Sequence, residues 1–184
     1  MVNPLVHIPL PHWLLLGPLA IATYTDLRYG MIYNHLTLPT AALGLVVNGV
    51  VGGWAGLIGA GAGLGAGFLI FYFLYVVGRG QAMAAGDVKL MAAIGAWLGW
   101  PLILQATFYG ILAGGVLALI HVAYHGKLGA SLRRLWRILV SLVMPGLKVD
   151  LDFTRSEAPP FVYGPALALG TIACIINQSL TKIS

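Results

Sequence analysis

Charged side chains are the scarcest feature of this 184-residue sequence, at 8% against 59% hydrophobic residues. A water-soluble domain carries roughly a quarter charged residues, and a chain this short keeps too much surface exposed to conceal so much hydrocarbon. Lipid is therefore the expected solvent for much of the chain, taken as a single membrane-embedded domain over residues 1–184. Cysteine is nearly absent: Cys174 is the only one, which excludes an internal disulfide and a cysteine-based zinc site. Acidic residues number five against ten lysines and arginines. The basic residues are not interleaved with aromatics on a polar surface, so nucleic acid is not an expected partner. The first residues lack the cationic segment and small-residue cleavage site of a signal peptide, and insertion is expected to rely on the first spanning helix.

Apolar runs, by contrast, are abundant. A spanning helix needs about 20 mostly apolar residues. The first candidate covers residues 9–25 and ends at Asp26, followed by a polar hinge over 26–34. A second covers 36–51, with Gly52 and Gly53 as the turn. The third, 54–77, is glycine-rich. The fourth starts near Asp87, reaches Trp97 or Trp100, and is short. Pro101 opens the fifth, which runs to 124, and the sixth covers 161–180. Between these last two, residues 132–144 place arginines on one face and Leu132, Leu135, Trp136, Leu139 and Val143 on another, the pattern of an interfacial amphipathic helix. The fold class is thus all-α: a polytopic membrane helix bundle of about six transmembrane helices plus one interfacial helix. Arg28, then Arg79 and Lys89, then the basic stretch around Arg133, Arg134 and Arg137 occupy the odd-numbered loops. The positive-inside rule puts those loops in the cytoplasm and both termini outside, with only Lys182 opposed.

Ionisable groups at membrane depth are costly and default to a functional role. Asp150, Asp152 and Glu157 fall in the polar loop between the fifth and sixth spans. Asp26 and Asp87 instead adjoin apolar spans, and the orientation argument brings both to the cytoplasmic side. Two adjacent carboxylates do not both ionise cheaply, so one keeps a proton near neutral pH. The ionised partner can then take a proton from a bound water while the other donates to a carbonyl oxygen. The simpler alternative is that each aspartate caps a helix. That suits Asp87 at a helix N-terminus, but a C-terminal helix end disfavours an anion such as Asp26, unless Arg28 offsets it.

These residues also carry a family likeness. Ala84, Ala85, Gly86, Asp87, Val88, Lys89 and Leu90 resemble the GxGD-Val-Lys-Leu segment of the type IV prepilin peptidases. Asp26, Leu27 and Arg28, followed by Ile32, Tyr33 and Asn34, are similar to that family's first aspartate region. Val162, Tyr163, Gly164, Pro165 and Ala166 resemble its late Gly-Pro-Ala helix. The blocks keep the family's order over residues 10–181. Ala84 stands in place of the motif's first glycine, and Tyr33 in place of a proline. The resemblance implies a six-helix intramembrane aspartic endopeptidase that removes the basic leader from prepilins or pseudopilins at the cytoplasmic face of the bacterial inner membrane, without metal or cofactor. It makes Asp26 and Asp87 the catalytic pair and Gly86 the small residue allowing close approach to the second aspartate. Long family members carry an insert with paired CxxC motifs and a methyltransferase activity. Nothing here corresponds, which implies peptidase activity without N-methylation, as in the short forms serving Flp-type pili.

Lys89 is read either as snorkelling to the surface or as contacting substrate. Gly164 and Pro165 are read either as a helix break that holds extended substrate or as an ordinary helix start. Gly59, Gly63 and Gly67 fall four apart and are expected to pack helices closely rather than bind a nucleotide. Trp54, Trp97, Trp100 and Trp136 are assigned to interface belts. His121 and His125 have ligand spacing but no third partner, so no metal is expected. The rival functions are a small ion-coupled transporter, which would put acids near the bilayer middle, and a catalytically silent pilus-assembly protein.

Overall fold

The computed structural model describes residues 12–78, 83–124 and 162–181. The regular elements among them are all helical: a short 3-10 turn at His12–Leu15, then α1 (Leu16–Tyr29), α2 (Asn34–Val77), α3 (Ala85–Leu98), α4 (Leu102–Tyr124) and α5 (Gly164–Thr181). The expected amphipathic helix at 132–144, together with Arg79, His125, Trp136 and the acidic residues of the 125–160 stretch, lies outside the described residues. Two compact units are distinguished, Met1–Gly114 with Val162–Ser184, and Gly115–Phe161. Of the second only residues 115–124, the end of α4, are described. All that follows concerns the first.

α2 has 44 residues. Straight, it would measure about 66 Å, twice the roughly 30 Å of hydrocarbon in a bilayer. It is not straight, because Gly53 breaks it at φ 58° and ψ −148°, a conformation that side-chain-bearing residues avoid. Across the break, a Cβ on Gly49 would lie 3.7 Å from Cδ1 of Leu57. Residues eight apart in an unbroken helix are separated by about 12 Å, so the limbs 34–52 and 54–77 turn back on each other. The turn falls where the paired glycines predict it.

Both limbs close on α3. Gly44 of the first limb abuts the backbone of Ala96 and Trp97, while Gly63 and Gly67 of the second abut the carbonyls of Gly95 and Met91. None of these positions has room for a methyl group. The expected small-residue packing therefore operates at Gly63 and Gly67. Gly59 contributes differently, its carbonyl accepting the Trp100 amide at 3.0 Å. From Asp87 to Leu98 every residue of α3 except Lys89 is buried. A helix apolar around its whole circumference belongs inside a bundle, so α3 can remain at 14 residues, about 21 Å.

The C-terminal end of α3 is closed by side chains from the first limb. Asn48 Nδ2 donates to the carbonyls of Ala96 (2.9 Å) and Trp97 (3.2 Å) as well as Gly44 (2.9 Å). Trp97 Nε1 donates to the Thr40 carbonyl at 2.7 Å. Trp97 is thus a core residue, 4% exposed, and not part of an interface belt. Its single polar atom has found a backbone acceptor, which removes the reason to sit at the headgroups. Trp54 (76%) and Trp100 (50%) are exposed as a belt requires. A cavity of about 420 Å³ opens beside this end, lined by Asn48, Gly56, Trp100, Gln105 and Gln178 among others.

Two helix ends differ from expectation. α1 does not stop at residue 25 but continues to Tyr29, where Gly30 at φ 63° caps it and donates its amide to the Asp26 carbonyl at 2.8 Å. The polar hinge shrinks to residues 30–33. α5 starts at Gly164 rather than 161. On the outside, large apolar side chains such as Val50, Leu69, Phe73 and Phe108 stand 60% or more exposed. Two helices, Asn34–Val77 and Leu102–Tyr124, are long and apolar enough to cross a membrane.

Candidate active site

Asp26 sits in the last turn of α1 and is 5% exposed. Burying a carboxylate without compensation is expensive, and the C-terminal turn of its own helix opposes the charge. The compensation comes from elsewhere in the chain. The Gly164 amide, at the first residue of α5, donates to Asp26 Oδ2 at 2.6 Å. The carboxylate therefore rests on the N-terminal end of α5, where free amides and the helix dipole favour an anion. Arg28, the compensation considered from sequence, is exposed. Gly164 is required by proximity, since a Cβ there would stand 2.6 Å from Asp26 Oδ2.

Asp87 occupies the first turn of α3 and is 2% exposed. It exchanges two hydrogen bonds with Ala84: its amide donates to the Ala84 carbonyl at 3.1 Å, and the Ala84 amide donates to Asp87 Oδ2 at 3.0 Å. This is helix capping from the third position, so the cap alternative describes one oxygen correctly. The other oxygen, Oδ1, is buried and has no hydrogen-bond partner among the described residues. A cap needs only one oxygen, and an unsatisfied buried carboxylate oxygen calls for a further role. Ala84 has an extended backbone, φ −85° and ψ 153°, open to any residue, so alanine in place of the motif glycine leaves this geometry intact. Tyr33 likewise has φ −78°, within the range of the proline it replaces.

The two carboxylates lie within electrostatic range of each other. The charge of Asp26 acts on Asp87, and that of Asp87 on Tyr163, the residue before Gly164. α1, α3 and the start of α5 thus contribute to one site. Gly86 faces Ile32 of the 30–33 link, to whose Cβ a Cβ on residue 86 would stand at 3.0 Å. Lys89 Nζ donates to Asn34 Oδ1 at 2.8 Å. Pro165 lies in the first turn of α5, where a missing amide hydrogen costs nothing.

A profile of the type IV leader peptidase family matches residues 13–119, which include both aspartates. The chain belongs to that family. Among relatives named prepilin leader peptidase/N-methyltransferase, one from Aeromonas salmonicida is 30% identical over 175 residues, covering 92% of this chain and 50% of that protein. One from Aeromonas hydrophila is 35% identical with the same coverage. Another from Escherichia coli strain K12 is 38% identical over 91 residues, 46% of this chain and 40% of that protein. The chain spans about half the length of the curated relatives it matches. No solved structure matches it.

Within this chain of the leader peptidase family, sequence reasoning named both aspartates but not what holds them. The Ala84 amide is a backbone group and leaves no trace in residue identity, while Gly164 stood out in the sequence as part of a helix break or helix start and not as the donor to Asp26. Ile32 and Asn34 carried a signal, since both stand in the block following the first aspartate, but no role was attached to them.

Proposed function

We propose that this chain is an intramembrane aspartic endopeptidase that removes the basic leader from type IV prepilins or pseudopilins, with Asp26 and Asp87 as its catalytic pair. The observation that carries the reading is the bare Oδ1 of buried Asp87 in a site shared with a second buried carboxylate, in a chain of the leader peptidase family. A water held between the pair loses a proton to one carboxylate as its oxygen attacks the scissile carbonyl carbon. The other, protonated, donates to the carbonyl oxygen. The tetrahedral intermediate then breaks its C–N bond, and a proton passes to the leaving amine.

The same proposal includes six spans in one membrane-embedded domain: α1, the two limbs of α2, α3, α4 and α5. It places the protein in the bacterial inner membrane with the aspartates toward the cytoplasm, in accord with Arg28 and Lys89 at that end. Peptidase activity without N-methylation, on Flp-type substrates, belongs to the same proposal and is consistent with the short 30–33 link between α1 and α2.

Co-expression with the cognate prepilin tests the reading through the mobility shift of leader removal. Asp26→Asn and Asp87→Asn are each expected to lower processing by about 10³-fold or more while inserting at wild-type levels. Full processing by either variant would remove the assignment.

A further inference from the structure

The link between α1 and α2 touches α3 on both sides of Asp87. Ile32, buried in that link, lies against Gly86, immediately before the aspartate. Asn34, at the link's far end, accepts a hydrogen bond from Lys89, two residues after it. The near end begins at Gly30, whose amide is tied to the carbonyl of Asp26. Residues 30–34 therefore form a strap from one carboxylate across the head of the helix that carries the other.

Lys89 has no direct part in the dyad's charge balance, since residues two apart on a helix do not face each other. Its ammonium is directed to Asn34 instead. Asp26 is fixed to α5 by the Gly164 amide, and Asp87 to its own helix by the Ala84 amide. Neither bond sets the separation between the two. The strap, continuous in the chain with α1 and seated on the head of α3, bridges the two carboxylate-bearing helices.

Resting on the peptidase reading, we propose that Asn34 and Lys89 are positioning residues: their hydrogen bond clips the 30–34 strap to the head of α3 and thereby sets the spacing of Asp26 and Asp87. A displacement of about 1 Å is enough to spoil a shared-water geometry. The clip acts on the chemical step and not on substrate affinity.

The test uses full-length protein in detergent micelles and two independent readouts. The first is hydrogen–deuterium exchange across residues 30–34, which needs no substrate. Lys89→Met and Asn34→Leu are each expected to speed exchange there severalfold, with exchange in the 90–98 core of α3 unchanged. The second is cleavage of a peptide made of a basic leader joined to an apolar helix. Each variant is expected to lower kcat by about 5-fold with KM within about twofold, and the double variant to be no worse than either single. Lys89→Arg and Asn34→Asp keep donor and acceptor and are expected to stay near wild type. Unchanged exchange in Lys89→Met would overturn the proposal. So would a raised KM in Lys89→Met with Asn34→Leu silent, which would assign Lys89 to the substrate. If the wild type cleaves no leader peptide, the peptidase reading fails and the exchange result alone decides on the strap.

Discussion

The two ends of α3 are built to opposite rules. At its C-terminal end Asn48 donates to the carbonyls of Ala96 and Trp97, the Trp97 indole donates to Thr40, and glycines bring three backbones together. At its N-terminal end Asp87 caps the helix with one oxygen, while the other is buried without a partner among the described residues. One end has its polar groups matched and its backbones in contact. The other retains an unmet polar demand beside a second carboxylate. The difference teaches where stability and chemistry are separated along a single helix about 21 Å long.

Three substitutions sharpen that contrast, taken from the largest expected effect to the smallest. Gly63→Leu forces a side chain into the backbone of Gly95 and Gly99. Overpacking of this kind has no flexible neighbour to yield, so the folded protein is expected to disappear from membranes, as read by expression and protease resistance. Gly164→Ala acts at the other end. The added methyl pushes into the Asp26 carboxylate, so leader cleavage is expected to fall about 10- to 100-fold. Its thermal unfolding in micelles should move little, because alanine favours the helix by up to about 1 kcal/mol. Normal activity in this variant would show that Asp26 does not depend on its seat at α5. Asn48→Leu is the mildest. Losing its donor to the end of α3 should cost about 1–3 kcal/mol of stability, seen as a lower Tm, with kcat unchanged. A loss of activity without a loss of stability there would erase the division between the ends.

The aspartate pair was legible in the sequence because acids are so scarce. Of five, only Asp26 and Asp87 adjoin apolar runs, and the cost of such placement is itself the signal. The reversal at Gly53 was legible for the same kind of reason, since paired glycines interrupt an otherwise continuous apolar run. The end of α1 was not. Asp26 and Arg28 read as the polar exit of a span, yet the helix continues through both. The donor that makes this affordable, the Gly164 amide, is 138 residues away, and periodicity carries no information about such a partner. Trp97 failed in a related way. An indole suits either a headgroup or a buried carbonyl, and only tertiary packing chooses between them. Asn48 offered a usable clue that was not taken: an amide inside an apolar span demands a partner across the helix interface.

The sheathing of α3 has an electrical consequence. Between Asp87 and the cavity at the opposite end lies the buried stretch from Leu90 to Leu98, whose side chains are all apolar and whose indole nitrogen is already engaged. That stretch is an insulating plug about 12 Å long. On the peptidase reading, that stretch separates a proton-handling pair at the head of the helix from the cavity at its far end, a barrier suited to a membrane that holds a potential.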